Sequence, residues 1–325
     1  MAVRLASPAN SPRPSSPNSE LEPSSWTCAF VNNMPDGAFD ATERQFLDLL
    51  GAGSGSEVIE IQRYAMVGVP RNECTASRIA ECYSPVADIT DNPPDLLLVT
   101  GSNPLEVHIQ NEPYWAEMVD LLSWASVHVR SMLLSCLSAH AALKTFDGIE
   151  RVRLDSKCTG VFPQHVDTSH PLCLGLESEI PLPHSRWNTV PPDDMRKAGY
   201  DIAIQSSNVG WSVATREIAA STVVLIQGHP EYEPSSLLRE YRRDASRYVL
   251  HERDDEPRLP VHCVAPEDWE QLENLHRAII GGQRDPAILA AFPFDEIAER
   301  SLWTWRTMAM RFFTNWLSED KSRKS

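Results

Sequence analysis

Three short stretches of the chain, LLLVTG at 96–101, VRSMLLS at 129–135 and STVVLIQG at 221–228, are apolar through their middles and of strand length. A strand with one wet face alternates polar and apolar residues. A continuous run needs cover on both faces, which a parallel sheet flanked by helices supplies. Parallel neighbours are joined by crossovers, so helices should lie between such strands. They do: Phe39, Phe46, Leu47 and Leu50 fall on one helical face, and PYWAEMVDLLSWA at 113–125 opens on a proline, where the missing N–H costs little. CAFVN at 28–32 and SEVIEIQ at 56–62 read as further strands. The fold class is therefore α/β, a mostly parallel sheet with helices on both faces.

Beyond Lys157 the pattern is mixed, with GYDIAIQSS as a strand and SSLLREYRRDASRYVL at 235–250 as a helix. A charged, proline-containing connector at 251–260 leads into helical material that closes with WTWRTMAMRFFTNWL at 303–317. Four regions follow. Residues 1–25 form a Ser/Pro-rich leader expected to be disordered, 26–250 an α/β catalytic domain, 251–318 a helical extension packed on that domain, and 319–325 a charged tail.

Composition narrows the functional classes. The 325 residues include 45 acidic against 29 basic side chains, a net charge of −16, which disfavours nucleic acid or an anionic membrane surface as a partner. No apolar run approaches the roughly 18–20 residues of a membrane-spanning helix. Seven scattered cysteines, an odd number without a C-x-x-C pair, fit neither a disulfide framework nor a metal site, and they point to a reducing, cytoplasmic setting. No glycine-rich phosphate cradle is present.

Two strand ends carry chemistry. In SMLLSCLSAHAAL the apolar strand runs straight into Cys136, and a helix-compatible segment of small residues follows. A nucleophile at such a turn projects from the sheet's carboxyl edge, where a helix N-terminus favours a thiolate and the next N–H, that of Leu137, can hold an oxyanion. A buried core cysteine is the alternative. In VVLIQGHPEYE, His229 and Glu231 stand at another strand's carboxyl end. Parallel strands end on the same edge, so His229 can serve Cys136 as base while Glu231 fixes its tautomer. A loop histidine beside a solvated glutamate is the bland equivalent.

These segments, with NNMPDGAFDATERQFLDLLG, LLLVTGSNPLE, PYW, LDSKCTGVFPQHV, LPHSRWN, GHPEYEPSSLLREYRRD and WRTMAMRFFTNWL in order, resemble the MetA-type homoserine O-acyltransferases. The resemblance spans about 28–317 and implies a class I glutamine-amidotransferase-like fold. It implies that Cys136 accepts the acyl group, His229 is the general base and Glu231 orients it. Lys157, Ser185 and Arg243 match positions that hold the amino-acid substrate, and Arg243 suits an α-carboxylate as a two-pronged donor. Glu240, one turn earlier, could meet the substrate ammonium. The implied reaction moves succinyl or acetyl from acyl-CoA, a co-substrate rather than a bound cofactor, to L-homoserine. A homodimer is also implied.

The chain departs from the family pattern at several points. His140 follows Cys136 by one helical turn, Leu105 and Glu106 occupy the acyl-selecting position, Trp187 follows PHSR, and the 251–300 stretch diverges. Succinyl against acetyl therefore stays open, as does L-serine against L-homoserine, since one methylene shifts affinity by only about 1–3 kcal/mol. A glutaminase-like cysteine amidohydrolase and a non-catalytic paralogue are the competing readings.

Overall fold

The structure is a computed structural model that describes residues 3–6, 8, 26–55 and 57–322. β1 (Val3–Leu5) and β2 (Trp26–Val31) precede α1 (Asp36–Gly53), β3 (Ile59–Ala65), α2 (Glu73–Cys82) and the short β4 (Ser84–Pro85). The chain continues through β5 (Leu96–Val99), α3 (Trp115–His128), β6 (Ser131–Ser135) and α4 (Leu137–Asp147). Next come β7 (Val152–Val166), β8 (Glu179–Thr189), α5 (Pro192–Lys197), β9 (Asp201–Ser206), β10 (Gly210–Ile218), β11 (Ser221–Ile226) and α6 (Pro234–Val249). One sheet holds these strands in the order β1-β3-β2-β5-β6-β11-β10-β9-β7-β8, with β4 beside β3. From β1 to β11 neighbours run parallel; from β11 to β8 they run antiparallel.

The three apolar runs are the middle of the sheet. β5, β6 and β11 are buried at every position, and their alternate side chains enter two separate cores. Leu97, Val99, Met132, Leu134, Val223 and Leu225 pack with Met118, Leu121 and Leu122 of α3 and Leu143 of α4. Leu96, Leu98, Leu133, Val224 and Ile226 pack on the other face with Phe46, Leu49 and Leu50 of α1 and Leu237 and Leu238 of α6.

That second core also receives the C-terminal helices α7 (Pro266–Ile280), α8 (Pro286–Ala290), α9 (Phe294–Arg300) and α10 (Arg306–Ser322). Phe313 of α10 meets Phe46 at 6.3 Å between ring centres, and the Trp316 indole donates to Ser131 Oγ at 2.8 Å. α10 begins after the tryptophans rather than at Trp303, because the Trp305 indole is turned back onto the Tyr232 carbonyl at 2.7 Å. It runs on to Ser322, past the point where a charged tail was expected to start.

The ends and the antiparallel half differ from the sequence reading. Val3–Leu5, placed in a leader expected to be disordered, forms the outermost parallel strand: Val3 pairs with Ile59, Leu5 with Ile61, and Arg4 with the Glu60 carboxylate at 2.8 Å. Three residues carry no readable period, but an open sheet edge supplies the missing backbone partners. Apart from residues 3–6 and 8, the leader lies outside the described residues, as do 323–325 of the tail. β7 and β8 went unread because Pro163, Pro181 and Pro183 argue against strands. In the sheet Val161 sits opposite Pro183 and Pro163 opposite Pro181. Gly160 has φ +141, and a Cβ there would meet Val261 O at 2.4 Å. The chain just past the connector thus lies directly on β7, with Val161 N donating to Val261 O at 2.9 Å.

Candidate active site

β6 ends at Ser135 and α4 starts at Leu137, leaving Cys136 alone to make the turn with φ 53 and ψ −108. A side chain held at positive φ costs on the order of 1–3 kcal/mol and persists only where its surroundings fix it. They do here: Cys136 N donates to Ile226 O at 2.6 Å, and the β5–α3 loop presses on the turn from the other side. A Cβ on Gly101 would lie 3.2 Å from Cys136 Cβ and 3.5 Å from Leu137 N, so glycine permits that approach. Leu137 is the first residue of α4, where N–H groups have no acceptor within the helix.

β11 ends beside β6, and the residues after it turn across the same edge. A Cβ on Gly228 would strike Leu182 Cδ2 at 2.5 Å, so glycine lets β8 pass directly over this point. His229 N then donates to Pro183 O at 2.8 Å. The buried imidazole is held by Glu231, with Nδ1 to Oε1 at 2.8 Å, and by Tyr232, whose ring stacks 4.3 Å away. Burial by itself disfavours the imidazolium, yet the Glu231 carboxylate and the nearby Cys136 sulfur outweigh it and raise the His229 pKa well above its ordinary value. His229 Nε2 is buried and makes no hydrogen bond of good geometry with the described residues. The structure thus brings Cys136, His229 and Glu231 to one rim.

His140 does not share that rim. Its Nε2 lies 3.0 Å from Gln227 Oε1, and Gln227 donates in turn to Trp211 O at 2.7 Å. Burial holds its pKa down at about 4, partly opposed by the Gln227 contact, so the ring is neutral at physiological pH and belongs to a buried polar chain between α4 and the sheet.

The remaining sequence candidates meet in a second cluster joined to the first by Tyr232. α6 opens with Glu233 and Ser236 capping each other's backbone N–H, and Pro234 occupies its first position. This places Glu240 and Asp244 one turn apart on one face. Lys157 Nζ, from β7, donates to Glu240 Oε2 at 2.9 Å and Asp244 Oδ2 at 2.7 Å. The hydroxyls of Ser185 and Tyr232 donate to the two oxygens of Glu240. Arg243 binds Asp244 Oδ1 through Nε and a terminal nitrogen at 3.0 and 2.8 Å, and lies 3.7 Å from Glu240. Burial would push the Glu240 pKa up; Lys157, Arg243 and the two hydroxyls together pull it down to about 2. Arg243 keeps 35% of its side chain exposed, enough to offer donors outward.

Sequence reasoning missed Tyr232 and Asp244. Tyr232 sits within GHPEYE, and Asp244 was legible as the i+4 partner of Glu240 on an amphipathic helix. Leu105 and Glu106 are both exposed, Leu105 at 58%, and it is their backbone that is anchored. The buried Glu112 carboxylate accepts from Leu105 N and Glu106 N at 3.1 and 3.2 Å, and Arg151 binds Glu112 and the Glu106 carbonyl. Trp187 is stacked between Arg153 and Arg253, at 5.1 and 5.5 Å, rather than packed on the Glu240 cluster.

Comparison with known proteins fits this arrangement into a lineage. A homoserine O-succinyltransferase of Rhodopseudomonas palustris is 41% identical over 287 residues, covering 88% of this chain and 86% of that protein. One from Methylorubrum extorquens is 36% identical over 289 residues, covering 89% and 85%. Among solved structures, a glutamine amidotransferase from Thermotoga maritima covers 80% of this chain and 98% of its own, at 11% identity and a TM-score of 0.45. The family profile described as homoserine O-succinyltransferase matches residues 20–322. The chain belongs to the homoserine O-succinyltransferase family.

Proposed function

We propose that the protein is a homoserine O-acyltransferase that takes succinyl from succinyl-CoA onto Cys136 and passes it to the hydroxyl of L-homoserine. The observation that carries this reading is the strained Cys136 at the head of α4, sharing a rim with the buried His229–Glu231 pair. In the first half-reaction the Cys136 thiolate adds to the thioester carbonyl, and the Leu137 N–H stabilises the oxyanion. The C–S bond to CoA then breaks, and His229 gives the leaving thiolate its proton. In the second half-reaction neutral His229 takes the proton of the homoserine hydroxyl as its oxygen attacks the acyl-cysteine, and the proton passes back when the Cys136 sulfur leaves. The thioester exchange is nearly balanced, whereas ester formation from a thioester runs downhill.

In this reading the amino-acid end of the acceptor sits on the second cluster. Arg243 turns its exposed edge to the α-carboxylate, Glu240 faces the ammonium, and Ser185 and Lys157 hold Glu240 in place. Tyr232, against His229 on one side and Glu240 on the other, sets the distance between acceptor and base. No permanently bound cofactor enters the reaction.

The test pairs succinyl-CoA and acetyl-CoA with L-homoserine and L-serine, scoring free CoA thiol and product ester. A mass increase of one succinyl group on Cys136, discharged by L-homoserine, is the expected result. Transfer to serine, or from acetyl-CoA, in preference would change the named substrates. Release of ammonia from glutamine without CoA release would replace the transferase reading with an amidohydrolase.

A further inference from the structure

One buried polar pair takes no part in the transfer steps, yet it stands directly behind both groups that carry them. His140 is 2% exposed and Gln227 is fully buried. His140 lies one turn past Cys136 on α4, and its backbone N–H donates to the Cys136 carbonyl at 3.3 Å. Gln227 follows the last residue of β11 and stands one glycine before His229. The two side chains meet, His140 Nε2 to Gln227 Oε1, at 3.0 Å. The segment bearing the nucleophile and the segment bearing the base are thus joined side chain to side chain, in addition to the backbone contact of Cys136 N with Ile226 O at 2.6 Å.

The pair is fixed in one arrangement. Gln227 Nε2 lies 2.7 Å from the Trp211 carbonyl, which can only accept, so the amide oxygen faces His140 and the imidazole must donate from Nε2. His140 Nδ1 is buried and has no hydrogen-bond partner among the described residues, which costs less for a bare nitrogen than for an N–H. The neutral ring therefore has one tautomer and one bond. Gln227 is tied to β10 by its own N–H, which donates to Ser212 O at 2.8 Å. Thr189 Oγ1 also approaches Gln227 Oε1, but at 3.4 Å it is too long to replace the imidazole. A ring needed for packing alone, edge-on to Trp211 at 6.3 Å, would be served as well by an apolar side chain of similar volume.

We infer that His140 is a positioning residue for acyl transfer: its Nε2–H holds Gln227, and through it keeps His229 at a fixed spacing from Cys136. The inference rests on the acyltransferase reading above. It gives the buried imidazole a task in a reaction whose substrates it does not touch.

The experiment compares His140→Leu, His140→Gln, Gln227→Leu and the double leucine variant in the full chain. Single-turnover acylation of Cys136 by succinyl-CoA and alkylation of Cys136 by iodoacetamide are both followed by mass spectrometry. Acylation should slow about tenfold to a hundredfold in His140→Leu, the effect of displacing reacting groups by about 1 Å, while the half-saturating succinyl-CoA concentration stays within about twofold. Alkylation, which reports the thiolate that His229 stabilises, should slow at least about threefold. His140→Gln, whose amide can donate to the same oxygen, should recover most of both rates. Packing alone predicts the reverse order, with leucine the better replacement, and that result overturns the inference. The double variant should lose no more than about threefold beyond Gln227→Leu, and multiplied losses would show that the two residues act separately. If His140→Leu does not melt cooperatively, Gln227→Leu breaks the same bond from the strand side and carries the comparison. Wild-type acylation and alkylation with the bond broken refute the role of His140 alone. Slowed alkylation in a protein that transfers no succinyl refutes the acyltransferase reading and leaves the positioning of Cys136 and His229 standing.

Discussion

Replacing Glu240 by glutamine removes a charge on which four groups converge while leaving the side chain's shape. In the folded chain Lys157, Arg243, Ser185 and Tyr232 overcome the burial that would raise the Glu240 pKa, and bring it from 4.5 to about 2. A difference of that size between folded and unfolded states corresponds to about 3 kcal/mol of stability. Because the folded value is the lower one, this stability is fully present above about pH 4.5 and is lost as pH falls toward 2. Glu240→Gln should therefore be less stable than wild type by about 3 kcal/mol at pH 7. The gap should close steadily below pH 4.5, because there the unfolded wild-type chain takes up a proton on Glu240 that the folded chain accepts only near pH 2, while glutamine has nothing to titrate. Urea unfolding at pH 7, 5, 4 and 3 measures it directly. A stability difference independent of pH would mean that glutamine disturbs packing and that the charge network does not stabilise the fold. The same variant should raise KM for L-homoserine with little change in Cys136 acylation by succinyl-CoA.

Three further outcomes follow from the geometry. Cys136→Gly should lose the acyl-enzyme yet unfold at higher denaturant, by on the order of 1 kcal/mol, since glycine accepts φ 53 without strain; an unchanged or lower midpoint would show that the turn stores no strain. Gly228→Ala should cost about 1–3 kcal/mol by driving a methyl into Leu182, and should slow acylation by shifting His229; wild-type stability would contradict the close passage of β8. Arg243→Ala should weaken L-homoserine in the second half-reaction and spare Cys136 acylation, which stopped-flow release of CoA can separate from ester formation; equal loss in both halves would remove Arg243 from acceptor binding.

Much of the site's chemistry can be read locally. A wholly apolar strand followed at once by Cys136, and another followed by Gly228 and His229, mark residues that must emerge at one edge if both strands are parallel neighbours; Val224 opposite Leu133 and Ile226 opposite Ser135 show that they are. The Lys157–Glu240 contact joins residues 83 apart. No local pattern specifies it, and each residue alone reads as a solvated surface group. The same holds for Arg186, which in a sequence is one arginine of PHSR and only in the fold becomes a buried cation with no carboxylate at ion-pair distance among the described residues.

Strand length, helix period and the residue types placed at strand ends were therefore decided by the order of amino acids, because they depend on neighbours a few positions away. Tertiary structure alone decided that β7 and β8, despite their prolines, pair at the antiparallel end of the sheet and carry Lys157 and Ser185 to Glu240. Their pairing depends on backbone groups of distant strands, and which charges lie buried together depends on the packing that brings those strands into register.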